Sequence, residues 1–538
     1  MGSISARKLN RNRQKTEGKS VETPATVDEL RAKLLALASA TMKYCEEQST
    51  AAELPSHLEF EQGLRDKINE VGLAAEELFL GAAEERVKET CKGGMQFGER
   101  FMRPAPGAQF RNLATLYGVA RYSRTYLRES YAGRRCGFHP LDSALGLPAD
   151  RFSWNVLSMT VRLSTKMSYA EAKETAASFL PSAPSTEVIE KAVLGLGKHT
   201  GDWFAATPAP EGDGDVLIIM IDSKGAPTAT LAELRRRRGK RSSKQRAPSP
   251  RHRGRVQRQR YPKKARRKKG DKSKNAKMAT LVVMYTLKRQ GGLLLGPLNR
   301  LVYASFAPKE HAFAIARREA DKRGFDKASG RIVQIVTDGD TDLACYAQRH
   351  FPEARHTVDI IHVIERLWTI GECLHKEGTP ALAKWVARQK QRLRTGKVHL
   401  ILDETRRILE RTPQTGPGNK GKRERLSECL RYLAKRVDQM HYDELIAMDL
   451  EIASGQVEGA VKNVIGKRCD HGGMRWIKER AEALLQLRCI EINGHWDAFI
   501  RFVHDRLREE TSSSGLRVRL QAKTPAPLPD FRGEAEAA

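Results

Sequence analysis

Val216-Leu217-Ile218-Ile219-Met220-Ile221 is an unbroken apolar run that stops at Asp222-Ser223-Lys224-Gly225. A strand with one wet face alternates apolar and polar residues. A run without alternation suits a strand covered on both faces, so this one is expected at the centre of a sheet. Working outward, strand signals resume at Met278–Leu287 and Leu301–Phe306, and helical spacing follows over Lys309–Arg323. Another strand is expected over Ile332-Val-Gln-Ile-Val-Thr337 and ends at Asp338-Gly339-Asp340. Then come a helix (Thr341–His350), a short strand (Ala354–Val358) ending at Asp359, and a helix (Ile360–Glu372).

Three strands, then helix, strand, helix, strand, is the order of an RNase H-like sheet: a meander followed by crossovers. The flanks are different. Residues 1–26 are polar and basic, and residues 27–90 keep helical spacing through Leu64, Ile68, Val71, Ala75 and Leu78. Phe110–Leu116 and Val119–Leu127 flank Tyr117-Gly118 and read as a hairpin. Pro140–Gly201 reads as helix; Ser168 opens one helix with a capping box, Pro181 and Pro184 break it, and Ser185 caps Thr186–Leu194. That pair suits a helix-turn-helix, and equally an ordinary helical hairpin.

The fold expected is multidomain α+β: a helical N-terminal DNA-binding region with a hairpin, then an RNase H-like α/β catalytic domain interrupted by a helical insertion. In residues, 1–26 is a disordered tail, 27–145 the helical region with the hairpin, and 146–206 the helix-turn-helix-like part. Residues 207–379 form the first catalytic part, with 234–277 a disordered basic loop. Residues 380–449 are the helical insertion and 450–508 the second catalytic part; one last helix is expected over Met474–Arg508, before a loose tail at 509–538.

The charge balance indicates the partner. The chain of 538 residues carries 95 Lys+Arg against 65 Asp+Glu, a net +30. A field of that sign calls for a polyanion, and nucleic acid comes first. From Arg235 to Lys277 there are 22 Lys/Arg against one acid, Asp271, too dense a run for a core. Arg235, Arg236, Lys263, Lys264, Arg266 and Arg267 are therefore expected to meet DNA phosphates. No apolar run could span a bilayer, and the first residues lack a signal-peptide core, so no membrane partner is expected and the cytoplasm is the expected compartment. The eight cysteines are scattered without Cys-x-x-Cys spacing, which argues against structural zinc and against a disulfide framework.

The chemistry is expected at strand ends. Asp222 ends the first strand and Asp338 the fourth, its neighbour in this topology. Two carboxylates so placed need a cation between them, and Mg²⁺ (or Mn²⁺) suits because it leaves positions open for phosphate oxygens and water. In the helix beginning at Ser454, Val457, Ala460, Val461, Val464 and Ile465 form an apolar face with Glu458 and Lys462 at its edge. That face on the sheet would turn Glu458 toward the strand ends and leave Lys462, Lys467 and Arg468 where a DNA backbone passes. Asp222, Asp338 and Glu458 are thus the expected metal ligands.

The stretch Ser454-Gly-Gln-Val-Glu458-Gly-Ala-Val-Lys462, followed by Gly473-Met-Arg-Trp476, resembles the bacterial insertion-sequence transposases of the ISKra family, DDE-class enzymes related to the Mutator-like group. The resemblance spans about residues 58–500. It implies that Glu458 is the third catalytic carboxylate, that the second lies in Asp338-Gly339 with Asp340 as a rival, and that Asp222 is the first. It also implies a functional Asp359-Ile-Ile-His362, in which His362 would contact the scissile phosphate or orient a carboxylate, or else pack its helix onto the sheet. Trp476 could stack on an unpaired base with Arg475 on a phosphate, or serve as core. The expected activity is cleavage and strand transfer on double-stranded DNA, at element ends and target, by a homodimer or larger assembly near the bacterial nucleoid. The alternatives are a nuclease that cuts without transposing and an inactive DNA-binding descendant.

Overall fold

The computed structural model describes residues 23–97, 100–129, 137–235, 276–471 and 474–513. The expected basic contacts Arg236, Lys263, Lys264, Arg266 and Arg267 lie outside the described residues, as do residues 1–22 of the expected 1–26 tail and 514–538 of the expected 509–538 tail, whereas residues 509–513 are helical. The chain is mixed α/β and divides into two units. One comprises residues 1–163, 169–189 and 500–538; the other comprises 164–168 and 190–499.

The first unit opens on two helices, α1 (Val27–Ser49) and α2 (His57–Cys91). Each starts at a reciprocal capping box, Thr26 with Glu29 and Ser56 with Glu59, which occupies backbone N–H groups that have no partner in the first turn. Strands β1 (Met95–Phe97), β2 (Arg100–Pro104), β3 (Gln109–Ala114), β4 (Val119–Arg124), β5 (Leu127–Arg128) and β6 (Gly137–Phe138) follow. β3 and β4 form the expected hairpin; β1, β2, β5 and β6 make a second, antiparallel sheet. Leu80, Val87, Met102, Leu113, Tyr122, Leu127 and Leu141 close the core between α2 and the strands. Helices α3 (Pro140–Leu145), α4 (Trp154–Lys166), α5 (Tyr169–Ala177), α6 (Thr186–Gly197) and α7 (Thr200–Ala206) come next in the chain.

The second unit is built on five strands in the order β11-β10-β7-β8-β9. They are β7 (Val216–Pro227), β8 (Ala276–Gln290), β9 (Leu293–Ser305), β10 (Ile332–Thr337) and β11 (Arg355–Val358). β7, β8 and β9 form an antiparallel meander; β10 lies parallel to β7 and β11 parallel to β10. This is the element order expected from the apolar runs, with β7 central. Alternate β7 side chains serve opposite faces. Leu217, Ile219 and Ile221 pack against α8 (Lys309–Lys322) and α9 (Thr341–His350) through Phe313, Ala316, Leu343 and Ala347. Burial of each such side chain contributes about 1.5–3 kcal/mol.

After β11 come α10 (Ile360–Glu372) and then the helical segment α11 (Pro380–Arg394), α12 (Val398–Arg411), α13 (Asn419–Ala434) and α14 (Tyr442–Ala447). The chain then enters α15 (Gly455–Val461), which rests on β7 and β8. Two expectations need correction. β7 does not stop at Asp222: it continues to Pro227, paired residue for residue with β8 as far as Ala276. The single helix expected over 474–508 is two, α16 (Lys478–Ile492) and α17 (Trp496–Ser513). Asn493 leaves the helix to pair with the edge of β9, accepting from the Val302 amide at 2.8 Å and donating to its carbonyl at 2.9 Å. Gly494, at φ +74°, makes the turn.

Candidate active site

Residue pairing sets the first two carboxylates side by side. The parallel ladder runs Ile332↔Val216 to Thr337↔Ile221, so Asp338 and Asp222 are the next residues on adjacent strands. Asp222 lies within β7, opposite Leu281, where the backbone is held on both sides. Its Oδ1 accepts from the Ser223 amide at 2.6 Å. Burial pushes the Asp222 carboxyl above the usual carboxylate range, and the nearby Asp338 and Glu458 carboxylates push the same way. The Ser223 amide and His362 act in the opposite direction. Asp222, Asp338, His362 and Glu458 are therefore one electrostatic neighbourhood.

Asp338 and Asp340, the two candidates for the second carboxylate, differ in their surroundings. Asp340 is the N-cap of α9, accepting from the Asp342 amide at 2.8 Å, and its other oxygen takes the Lys309 ammonium at 2.5 Å. Although burial works against it, these partners hold the Asp340 carboxyl below its ordinary range. Asp338 is the member of the pair that shares the neighbourhood of Asp222.

Glu458 arrives from far along the chain. Gln334 on β10 is fully buried, and its side-chain amide pairs with the backbone of Glu451: Oε1 accepts from the Glu451 amide at 3.0 Å and Nε2 donates to its carbonyl at 2.6 Å. Nε2 also donates to Thr357 Oγ1 on β11 at 3.0 Å. Tyr285 on β8 donates to Glu451 Oε1 at 2.9 Å, and the Ile360 amide donates to the Ile452 carbonyl at 2.9 Å. Ser454 Oγ then donates to Asp359 Oδ2. The segment is laid on the sheet before α15 begins, and Val457, Ala460 and Val461 bury the face of α15. A π-helical turn, Lys462–Gly466, follows; the wider winding of such turns accompanies functional sites.

Asp359, buried completely, caps α10 by accepting from the Ile361 amide at 2.8 Å. His362 stands one turn on, its Nε2 4.0 Å from Asp359 Oδ2 and its Nδ1 3.3 Å from Glu365 Oε2. Among the described residues, Asp359, His362 and Glu458 each offer one ligand atom within 4.8 Å of the others, a grouping compatible with a divalent cation. The expected ligand set Asp222, Asp338 and Glu458 does not appear as a group at that spacing. The Asp359 oxygens accept from the Ile361 amide and the Ser454 hydroxyl, so this carboxylate also ties the start of α10 to the residue just before α15. The sequence marks Asp359 as the start of the Asp359-Ile-Ile-His362 motif and Ser454 as the start of the Ser454–Lys462 stretch, without giving either a site role of its own; nothing marks Gln334.

The expected DNA-contacting residues divide. Lys462, Lys467, Arg475 and Arg235 are exposed. Arg468 and Trp476 are not. Arg468 is 1% exposed, donates to the Ser164 carbonyl at 2.8 Å and lies over the Trp476 ring at 4.8 Å. Trp476 is 8% exposed, and its backbone bridges to the chain just after β7. A phosphate contact by Arg468 and base stacking by Trp476 give way to a packed cation–π pair in the core. No described helix is long and apolar enough to cross a membrane.

No protein-family model and no curated protein matches the chain, so the insertion-sequence family expected from the Ser454–Lys462 stretch has no matching model. Among solved structures it is similar to the Drosophila P element transposase strand transfer complex. The two are 11% identical with a TM-score of 0.21, over 69% of this chain and 85% of that one. At that distance the site rests on its own residues.

Proposed function

We propose that this chain is a DNA transposase of the DDE class, with an RNase H-like catalytic domain in which Asp222, Asp338 and Glu458 hold divalent metal. The observation that carries the reading is the joint placement of Asp222 and Asp338 on paired strands with Glu458 and His362 in the same electrostatic neighbourhood. A half-buried carboxylate hemmed in by two others is unfavourable alone and is relieved by a hard cation such as Mg²⁺ or Mn²⁺. Bound there, such an ion would supply Lewis acidity at a phosphoryl oxygen and a more acidic water.

The remaining work belongs to the chain. Lys462, Lys467 and Arg475 are exposed beyond Glu458 and would grip the DNA backbone, with the basic 236–275 stretch and a helix-turn-helix-like 146–206 region contributing affinity. His362 is one-third exposed and close to both Asp359 and Glu458; it would steady a phosphate oxygen while Asp359 orients its ring. Hydrolysis breaks one P–O3′ bond and leaves a free 3′-OH. That hydroxyl then attacks a phosphodiester of target DNA in line, forming one P–O bond as another breaks. Joining two ends calls for at least two copies of the chain.

The test is Mg²⁺-dependent cleavage and joining on DNA carrying the sequences that flank this protein's own coding region. Wild type should yield joined product and Glu458→Gln none, with DNA binding retained. Cleavage without joining would make the protein a nuclease. Tight binding without cleavage in either protein would overturn the enzymatic reading.

A further inference from the structure

The turn that carries Asp338 is gripped from a part of the chain remote from the sheet. Gly339 sits at φ +80°, a conformation that side chains other than glycine rarely adopt. A Cβ there would stand 2.4 Å from the Tyr432 hydroxyl and 2.8 Å from Arg436 Nε. The closeness has a purpose in hydrogen bonds. Tyr432 donates to the Asp338 carbonyl at 3.1 Å. Arg436 donates to the Gly339 carbonyl through Nε at 2.6 Å and through a terminal guanidinium nitrogen as well.

The clamp is itself rigid. The Arg436 guanidinium lies over the Tyr432 ring at 4.0 Å, and Arg366, one turn beyond His362 on α10, lies over the same ring at 4.8 Å. Arg436 also donates to the Tyr432 carbonyl at 2.9 Å and is 9% exposed. Tyr432 belongs to α13, and Arg436 follows it by two residues. Burying a guanidinium is costly, and here its donors go to two backbone carbonyls, that of Gly339 beside a proposed ligand and that of Tyr432.

We propose that Tyr432 and Arg436 are positioning residues: the helical insertion fixes the Asp338-Gly339 peptides and so sets the Asp338 carboxylate for the metal. This rests on the reading of Asp338 as a ligand. Outer partners of metal ligands of this kind change metal affinity by about 10–100-fold when removed.

The experiment is titration of the full-length protein with Mn²⁺ alone, following free Mn²⁺ by electron paramagnetic resonance. Wild type is compared with Tyr432→Phe, Arg436→Lys and Asp222→Asn, and melting is recorded without metal. Tyr432→Phe removes one hydroxyl and keeps the ring, so its fold is retained even if Arg436→Lys proves unstable. The expected result is an Asp222-dependent Mn²⁺ site weakened about tenfold in Tyr432→Phe, and at least as much in Arg436→Lys, with metal-free melting of Tyr432→Phe near wild type. Wild-type Mn²⁺ affinity in Tyr432→Phe would overturn the proposal. A wild-type protein with no Asp222-dependent Mn²⁺ uptake would instead overturn the metal-centre reading, and the proposed role of the clamp with it.

Discussion

Single residues show how burial and charge are balanced in this chain. Glu84 on α2 is 1% exposed, and its Oε1 accepts from the Thr125 amide at 2.5 Å and hydroxyl at 2.6 Å. Burial raises its carboxyl above the ordinary value, outweighing the Thr125 hydrogen bonds and Lys88. The folded protein therefore keeps a proton that the unfolded chain releases above about pH 4.3, and stability falls as pH rises from there through the raised value. Glu84→Gln keeps the acceptor oxygen and removes the charge. It should stabilise the first unit by on the order of 1 kcal/mol at pH 7 and have little effect near pH 4, as read by thermal melts at the two pH values. An equal effect at both would show that the charge is not the cause. Burial raises the Asp222 carboxyl too, although it is only half-buried, and there two further carboxylates, Asp338 and Glu458, add to the rise, which is what sets a proposed metal site apart from a structural acid.

At the scale of elements, two amide side chains do the work of absent strands: Gln334 pairs with Glu451, and Asn493 with Val302. Gln334→Met keeps the volume but leaves the half-buried Glu451 amide and carbonyl without these partners. Each such group costs about 1–3 kcal/mol. Hydrogen–deuterium exchange over residues 449–455 should accelerate by about tenfold or more, and Glu458-dependent cleavage should fall with it. Unchanged exchange would show that this segment is held by other contacts. Such pairings explain what the sequence could and could not tell. Val216–Ile221 was legible because an unbroken apolar run suits a strand covered on both faces, and Ile332–Thr337 because it is rich in β-branched residues. The continuation of β7 through Asp222-Ser-Lys-Gly was not, because polar residues there are kept extended by β8. The short strands β1, β2, β5 and β6 have no alternation long enough to register. Within the site, the two strand aspartates and Glu458 stood out by position. The clamp on Gly339 and the burial of Arg468 against Trp476 depend on contacts between distant segments, which no local pattern reveals.

For the molecule as a whole, the basic stretch between β7 and β8 is the largest single source of the +30 charge. The ladder between the two strands is complete from Val216↔Leu287 to Pro227↔Ala276, so the sheet does not depend on the residues beyond it. Replacing 236–275 by a short Gly/Ser link should leave the melting temperature within a few degrees. It should also reduce the slope of log DNA affinity against log salt by several units, since each neutralised phosphate contributes about 0.9. Filter binding across a salt series checks this; an unchanged slope would place the phosphate contacts elsewhere.

The distance between Asp222 and Glu458 along the chain, more than two hundred residues, has a consequence for synthesis. A chain emerging from the ribosome acquires β7, β8, β9 and β10, and with them both strand aspartates, long before α15 exists. Until the 450–454 segment is translated and laid against Gln334, the third carboxylate is missing. If the proposed function holds, nascent and prematurely terminated chains would bind DNA through their basic stretch without the means to break it, and competence to cut would arrive only once α15 has been made.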